Sequence, residues 1–115
     1  MKTLKLNSMY GGEYEIVLHK GVYLHGGNLY INLLCKTEYG WEPYSNLTVN
    51  LPENLPPENQ AFIDTNNNGF DITEWIKKNK LGKFTGKFGY RGFCSYPLFE
   101  FDMNEVNKYL IGGNE

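Results

Sequence analysis

A chain of 115 residues has the length of one domain, 1–115, and can bury roughly two-thirds of its unfolded surface in one core. No apolar run approaches the ~18 residues of a membrane helix, and the opening stretch MKTLKLNSMYGG lacks the apolar centre of a secretory signal, so a cytoplasmic protein with no membrane partner is expected. The formal net charge is −2, but residues 77–91 hold six of the eleven bases and no acid, which leaves five bases against thirteen acids, a net of −8, on the rest.

The first half reads as a meander of strands. Leu4 and Leu6 alternate with lysines. Tyr14, Ile16 and Leu18 alternate with Glu13, Glu15, Val17 and His19; Leu29, Ile31, Leu33 and Cys35 alternate with Tyr30, Asn32 and Leu34. Leu47, Val49 and Leu51 continue the pattern. Period two with one apolar face marks half-buried antiparallel strands. Turn signals fall between them at Gly11-Gly12, Lys20-Gly21, Gly26-Gly27 and Tyr39-Gly40, and Pro43 demotes its segment to an edge strand or a bulge. The run LPENLPPENQ (51–60) has three prolines, which forbid helix and ladder alike, and reads as an extended connector.

The second half mixes element types. A short apolar run covers 61–64. Asp71 with Glu74 three residues on makes a capping box, Ile72, Trp75 and Ile76 share one helical face, and Gly82 is the expected stop. Residues 88–96 are Gly-interrupted and extended, 98–101 a strand. Asp102 and Glu105 repeat the box before a short helix carrying Val106, Tyr109 and Leu110, ended by Gly112-Gly113. The expected fold is α+β: one twisted antiparallel sheet with two short helices in the C-terminal half.

Several motifs fall short of a chemistry. Residues 64–69, DTNNNG, start like a calcium loop, but the twelfth position is Trp75 where a bidentate acid belongs, so a turn leading into the helix is expected and no metal. His19, His25 and Cys35 match no zinc spacing and lack a fourth ligand. Cys94 has no local His partner, and Cys35 and Cys94 read as two reduced structural thiols. Glu100 and Asp102 lie two apart, but Asp102 already serves as a cap. With no nucleophile elbow, zinc helix, phosphate loop or dinucleotide loop, a non-enzyme without cofactors is expected.

The strip at 77–91 reads either as an anion-binding strip or as a solvated, twisted hairpin with lysines out and aromatics in. It alternates bases with aromatics, and Arg91-Gly92-Phe93 has the basic-Gly-aromatic order of an RNA-binding strand, although only that fragment fits. The candidate binding residues are Lys77, Lys78, Lys80, Lys83, Lys87, Tyr90 and Arg91. Lys83, Lys87 and Arg91 recur every four residues and would share one face of a strand. Most of the interleaved aromatics, Phe84, Phe88, Tyr90 and Phe93, are expected in the core.

FIDTNN (62–67), the helix with Trp75, LGKFTGK (81–87) and RGFCSYPLFEF (91–101) together resemble a family of short uncharacterised proteins, domains of unknown function from conjugative elements and phages of Gram-positive gut bacteria. The resemblance covers residues 10–110 and brings no catalytic residue. It implies a mobile-element accessory protein that acts by contact, as anti-CRISPR and anti-restriction inhibitors do, on a host or element-encoded protein such as a defence nuclease. That contact is expected to use the acidic, Tyr-bearing sheet, with the basic strip as a second face. The alternative is nucleic-acid binding through the basic-aromatic strip 77–93.

Overall fold

Alternating apolar residues in the first half form strands β1 (Leu4–Asn7), β2 (Glu13–Val22), β3 (Leu29–Thr37) and β4 (Gly40–Asn46), which pair in chain order as an antiparallel meander. The computed structural model describes residues 2–7, 11–69 and 71–112, so the expected stop at Gly113 lies outside the described residues. Register carries the pattern into packing. Leu4 faces Ile16, Ile16 faces Cys35 and Leu18 faces Leu33, giving one continuous apolar face. Val17, expected on the solvent side, is buried: it pairs with Leu34, which pairs with Pro43, so the outer face has its own apolar row. Pro43 sits on the edge strand β4, where the register shifts opposite Leu33 and Leu34.

The fold is α+β, with two differences from the expected plan. The strands form two sheets and not one, and three short helices are described where two were expected. β5 (Thr48–Val49), β6 (Gln60–Ile63), β7 (Gly82–Arg91) and β8 (Cys94–Phe101) make the second sheet, in the order β5-β6-β8-β7. The chain crosses between sheets at Leu47. Its N–H donates to the Ile31 carbonyl at 2.9 Å, and its carbonyl accepts from Asp64 N–H at 2.9 Å.

The additional helix is α1 (Thr65–Asn68), where a turn was expected. Asp64 makes it helical: Oδ1 accepts from Asn67 N–H at 3.1 Å and Oδ2 from the Asn67 carboxamide at 2.8 Å. α2 (Ile72–Lys78) carries Trp75 and Ile76 into the core, and α3 (Met103–Asn107) carries Val106. α2 does not run to Gly82. Lys80 takes φ +61°, Lys80 N–H donates to Lys77 O at 3.0 Å, and Leu81 N–H to Ile76 O at 3.0 Å. This is a Schellman stop with a lysine in the left-handed position usual for glycine, sealed by buried Ile76 and Leu81. Gly82 instead opens β7, because a Cβ there would lie 2.8 Å from the Glu100 carbonyl oxygen.

The main core joins both sheets and two of the helices: Ile16, Leu18, Ile31 and Leu33 from the first sheet, Ile63, Phe99 and Phe101 from the second, Trp75 and Ile76 from α2, Val106 from α3. The outer face of the second sheet builds another cluster, in which Leu51 at the head of the proline-rich connector covers Phe62, Tyr96 and Leu98. The chain after α3 protects β2 where β1 ends, since Leu18 N–H donates to Tyr109 O and Ile111 N–H to Leu18 O, both at 2.8 Å. Among the described residues no helix is long and apolar enough to cross a membrane.

Two stability effects follow. Trp75 is only 9 % exposed, and its indole N–H donates to the Lys5 carbonyl at 2.7 Å, tying α2 to β1. Trp75→Ala should therefore cost about 3–5 kcal/mol in a denaturant melt. Lys80→Gly should raise stability by up to about 1 kcal/mol, because glycine carries no Cβ penalty at positive φ.

Candidate functional site

β7 is the outermost strand of the second sheet, paired with β8 on one side only. Its pairing places two kinds of side chain on two faces. Phe84 faces Phe99, Phe88 faces Pro97 and Tyr90 faces Ser95, so these aromatics share the face that points to the main core. They were expected to be mostly core. The structure places them at its rim, 39 % exposed for Phe84, 42 % for Phe88 and 69 % for Tyr90. They overhang the sheet edge as a ladder: Phe84 stacks on Phe99 with centroids 5.9 Å apart and edge-on to Phe88 at 5.3 Å.

Between Phe84 and Phe88 the strand bulges. Three β7 residues stand opposite Leu98 alone, Gly86 takes φ +88°, and the Thr85 hydroxyl donates to the Leu98 carbonyl at 2.9 Å. The bulge breaks the edge into two short pieces. Beyond it β7 runs regularly to a two-residue turn, Gly92-Phe93, between the paired residues Arg91 and Cys94. Only Gly92 has positive φ, which is the II′ pattern that a right-twisted hairpin accepts. Phe93 is left at the tip, fully exposed.

The cations occupy the other face. Lys83 faces Glu100 and Arg91 faces Cys94, and strand alternation puts Lys87 and Gly89 with Arg91. Gly89 is buried and lies directly on the second cluster; a Cβ there would come within 2.6 Å of Leu51 Cδ1 and Phe62 Cε1. Tyr96 beneath it stays neutral, burial holding its phenol above the usual tyrosine range.

The seven candidate binding residues do not form one patch. Lys77 pairs with Glu74 at 3.6 Å on α2, and Lys83 pairs with Glu100 at 3.5 Å. Arg91 donates to the Asn50 carbonyl. Among the described residues Lys78, Lys80 and Lys87 have no ion pair. Tyr90 is exposed on the aromatic face, across the strand from Lys87 and Arg91.

Arg91 also fixes where the hairpin points. The Asn50 carboxamide in turn donates to the His25 carbonyl at 3.3 Å, so the β7–β8 end, the loop after β5 and the β2–β3 loop meet at one end of the molecule. Leu24 in that β2–β3 loop is fully exposed, like Phe93. Sequence reasoning missed Phe84, Phe88, Phe93 and Leu24 as surface groups. Phe93 adjoins Gly92 and Leu24 lies two residues before Gly26-Gly27, so the turn glycines were a signal that could have found them.

The remaining motifs are accounted for locally. Cys35 is buried in the main core and Cys94 is half-buried against the second cluster; both are free thiols. His19 pairs with Asn32 on the outer face, away from Cys35 on the inner one. Asp102 Oδ1 accepts from Asn104 N–H at 3.0 Å and from Glu105 N–H at 3.3 Å, the work of a cap. No group of three His, Cys, Asp or Glu side chains gathers among the described residues. On the first sheet Tyr14 and Tyr44 pack at 5.3 Å beside a cleft of about 960 Å³ that Asn67, Asn68, Asp71 and Trp75 also line.

Neighbouring positions on β7 should thus respond oppositely. Tyr90→Ser and Phe93→Ser should leave the unfolding free energy from a denaturant melt within about 0.5 kcal/mol of the parent, as exposed positions do. Gly89→Ala, only one residue from Tyr90, should cost about 1–3 kcal/mol by overpacking Leu51 and Phe62.

A family model described as a domain of unknown function (DUF4313) matches residues 17–114, a span that includes all of β7 and β8. No curated protein and no solved structure matches the chain. With a match over most of its length, the chain belongs to the DUF4313 family.

Proposed function

We propose that the chain is a binding protein that acts by macromolecular contact, and that it docks a protein partner on the β7–β8 hairpin. The observation that carries this reading is the set of four aromatics, Phe84, Phe88, Tyr90 and Phe93, held exposed on one hairpin. An exposed aromatic group of this density is rare on a surface that contacts only water, and aromatic anchors dominate the energetics of protein contacts. The cations are the weaker half of the site. Lys83 is already paired, and Arg91 is committed to Asn50, on the face away from the aromatics. A single-stranded nucleic-acid platform needs stacking rings and phosphate-binding cations working on the same strand of nucleotides. Here the two are split across the sheet.

The mobile-element context implied by the sequence resemblance gives the contact a purpose. In this reading the partner is a cytoplasmic component of host defence, such as a nuclease, and the protein inhibits it in the anti-CRISPR or anti-restriction manner by covering a working surface. No turnover of substrate is involved.

Tagged protein expressed in its host, with affinity capture and mass spectrometry, tests the reading. The parent should retain one protein partner, and Phe88→Ser/Tyr90→Ser/Phe93→Ser should lose it at unchanged fold. Retention should persist when salt is raised from about 0.1 to 0.5 M, because aromatic burial is screened little. Capture of nucleic acid that Lys83→Ser/Lys87→Ser/Arg91→Ser abolishes, and that salt removes steeply, would replace this reading with the nucleic-acid one.

A further inference from the structure

The aromatics explain why the hairpin is sticky but not what shape of partner fits it. That is decided by the free side of β7. An edge strand offers a row of backbone N–H and C=O groups to any extended chain, and proteins usually blunt such edges with bulges, charges or short length. β7 is blunted in its first half only. The bulge at Thr85 and Gly86 interrupts the edge, and Lys83 there is neutralised by Glu100. From Lys87 to Arg91 the strand is regular again, with no acidic side chain in it.

Over this half the two faces alternate cleanly. Lys87 and Arg91 flank Gly89 on one face, and Phe88 and Tyr90 stand on the other. Lys87 has no ion pair among the described residues, and Arg91 bonds a neutral carbonyl, so two positive charges face the edge without a counter-charge. A second copy of this chain does not answer that pattern. Residues 77–91 contain no acid, so in no register of two β7 strands does a cation meet an opposite charge, and like charges set opposite each other destabilise a ladder.

We propose that residues 87–91 accept an extended strand from the partner protein by strand addition, and that this strand is acidic at both ends and apolar at its second and fourth positions. In an added antiparallel strand the residues opposite Arg91 and Lys87 lie on the cationic face, and those opposite Tyr90 and Phe88 lie on the aromatic face. Acid, apolar, any, apolar, acid is the order that satisfies both faces. The position opposite Gly89 is unconstrained because Gly89 has no side chain to meet it. Main-chain hydrogen bonds supply affinity in this mode and alternate side chains supply selectivity. The inference rests on the hairpin as docking surface and names the chemistry of what docks there.

Short synthetic peptides in a fluorescence-polarisation titration test it. A peptide alternating glutamate and valine should bind the full chain, and one alternating lysine and valine should not. The glutamate peptide methylated on alternate backbone nitrogens should bind at least about tenfold more weakly, because methylation removes the ladder donors and leaves every side chain in place. Lys87→Glu, checked by a melt, should abolish the preference between the two peptides, because the acid it introduces opposes the charge that Arg91 still supplies. Amide exchange at residues 87–91 should slow when the glutamate peptide is bound. Equal binding of methylated and unmethylated peptide, or no binding of the glutamate peptide at millimolar concentration, overturns strand addition. If host capture still depends on Phe88, Tyr90 and Phe93 in that case, the docking surface stands and only its mode is wrong. If capture is also indifferent to them, both readings fall.

Discussion

One buried residue, Leu47, holds the two sheets in their relation to each other. Its N–H is bonded to Ile31 in β3 and its carbonyl to the Asp64 N–H at the end of β6, while its side chain is fully buried between the sheets. A strand that passes from one sheet to the next leaves backbone groups with no ladder, and buried groups of that kind cost several times the net gain of a made bond. Here each is satisfied by the sheet on its own side. The same crossing is reinforced by Thr48, whose hydroxyl accepts from Ile31 N–H at 3.2 Å and shares a hydrogen bond with Tyr23 at 2.8 Å. Asp64, bonded to Leu47 through its N–H, is also the cap that starts α1. The sheet crossing and the first helix are thus set by adjoining hydrogen bonds.

With the sheets held this way, the second sheet must bury both faces of its central strands. Phe99 and Phe101 point into the main core, while Tyr96 and Leu98 point into the second cluster under Leu51. β8 is consequently apolar almost throughout and sits inside the sheet. β7 receives the edge, and its aromatic side chains run out of core before they run out of strand. Phe84 still reaches Phe99; Tyr90 and Phe93 reach nothing comparable and remain exposed. The exposed aromatic surface is therefore a consequence of which strand is central, and the buried Gly89 lets β7 lie close against Leu51 and Phe62.

Charge is distributed on the same principle. Acids outside the strip neutralise its start, Glu74 on the same helix at Lys77 and Glu100 on β8 at Lys83. These are exposed pairs, worth at most about 1 kcal/mol each. Their effect is on the field rather than on stability: among the described residues Lys78, Lys80, Lys87 and Arg91 are the cations of the strip without an ion pair, while the residues outside 77–91 carry a net of −8 from five bases and thirteen acids.

The strands of the first sheet, the helix bearing Trp75 and the cap at Asp102 were legible in the sequence because each rests on local information: a period of two, a period of 3.6, a side chain that satisfies its neighbours' N–H groups. The special character of residues 77–91 was legible too, since a run of bases without acids needs no fold to be seen. Pro43 marked β4 as an edge strand, but nothing in the sequence revealed that β7 lies at the edge of a second sheet. Alternation places Phe84, Phe88 and Tyr90 on one face of β7 wherever β7 sits; whether that face is core or surface depends on what lies across from it, which is a matter of contacts between residues far apart in the chain. The same limit explains the helix stop. Gly82 is the residue that local preference selects, but the helix ends at Lys78 with Lys80 as the left-handed residue after it, because Leu81 is drawn into the core against Ile76 and that burial outweighs the strain of a lysine at positive φ. Local chemistry was written in the sequence; the division into two sheets at Leu47, and with it the exposure of the aromatic hairpin, was decided by tertiary packing, since only packing determines which apolar surface is left without a partner.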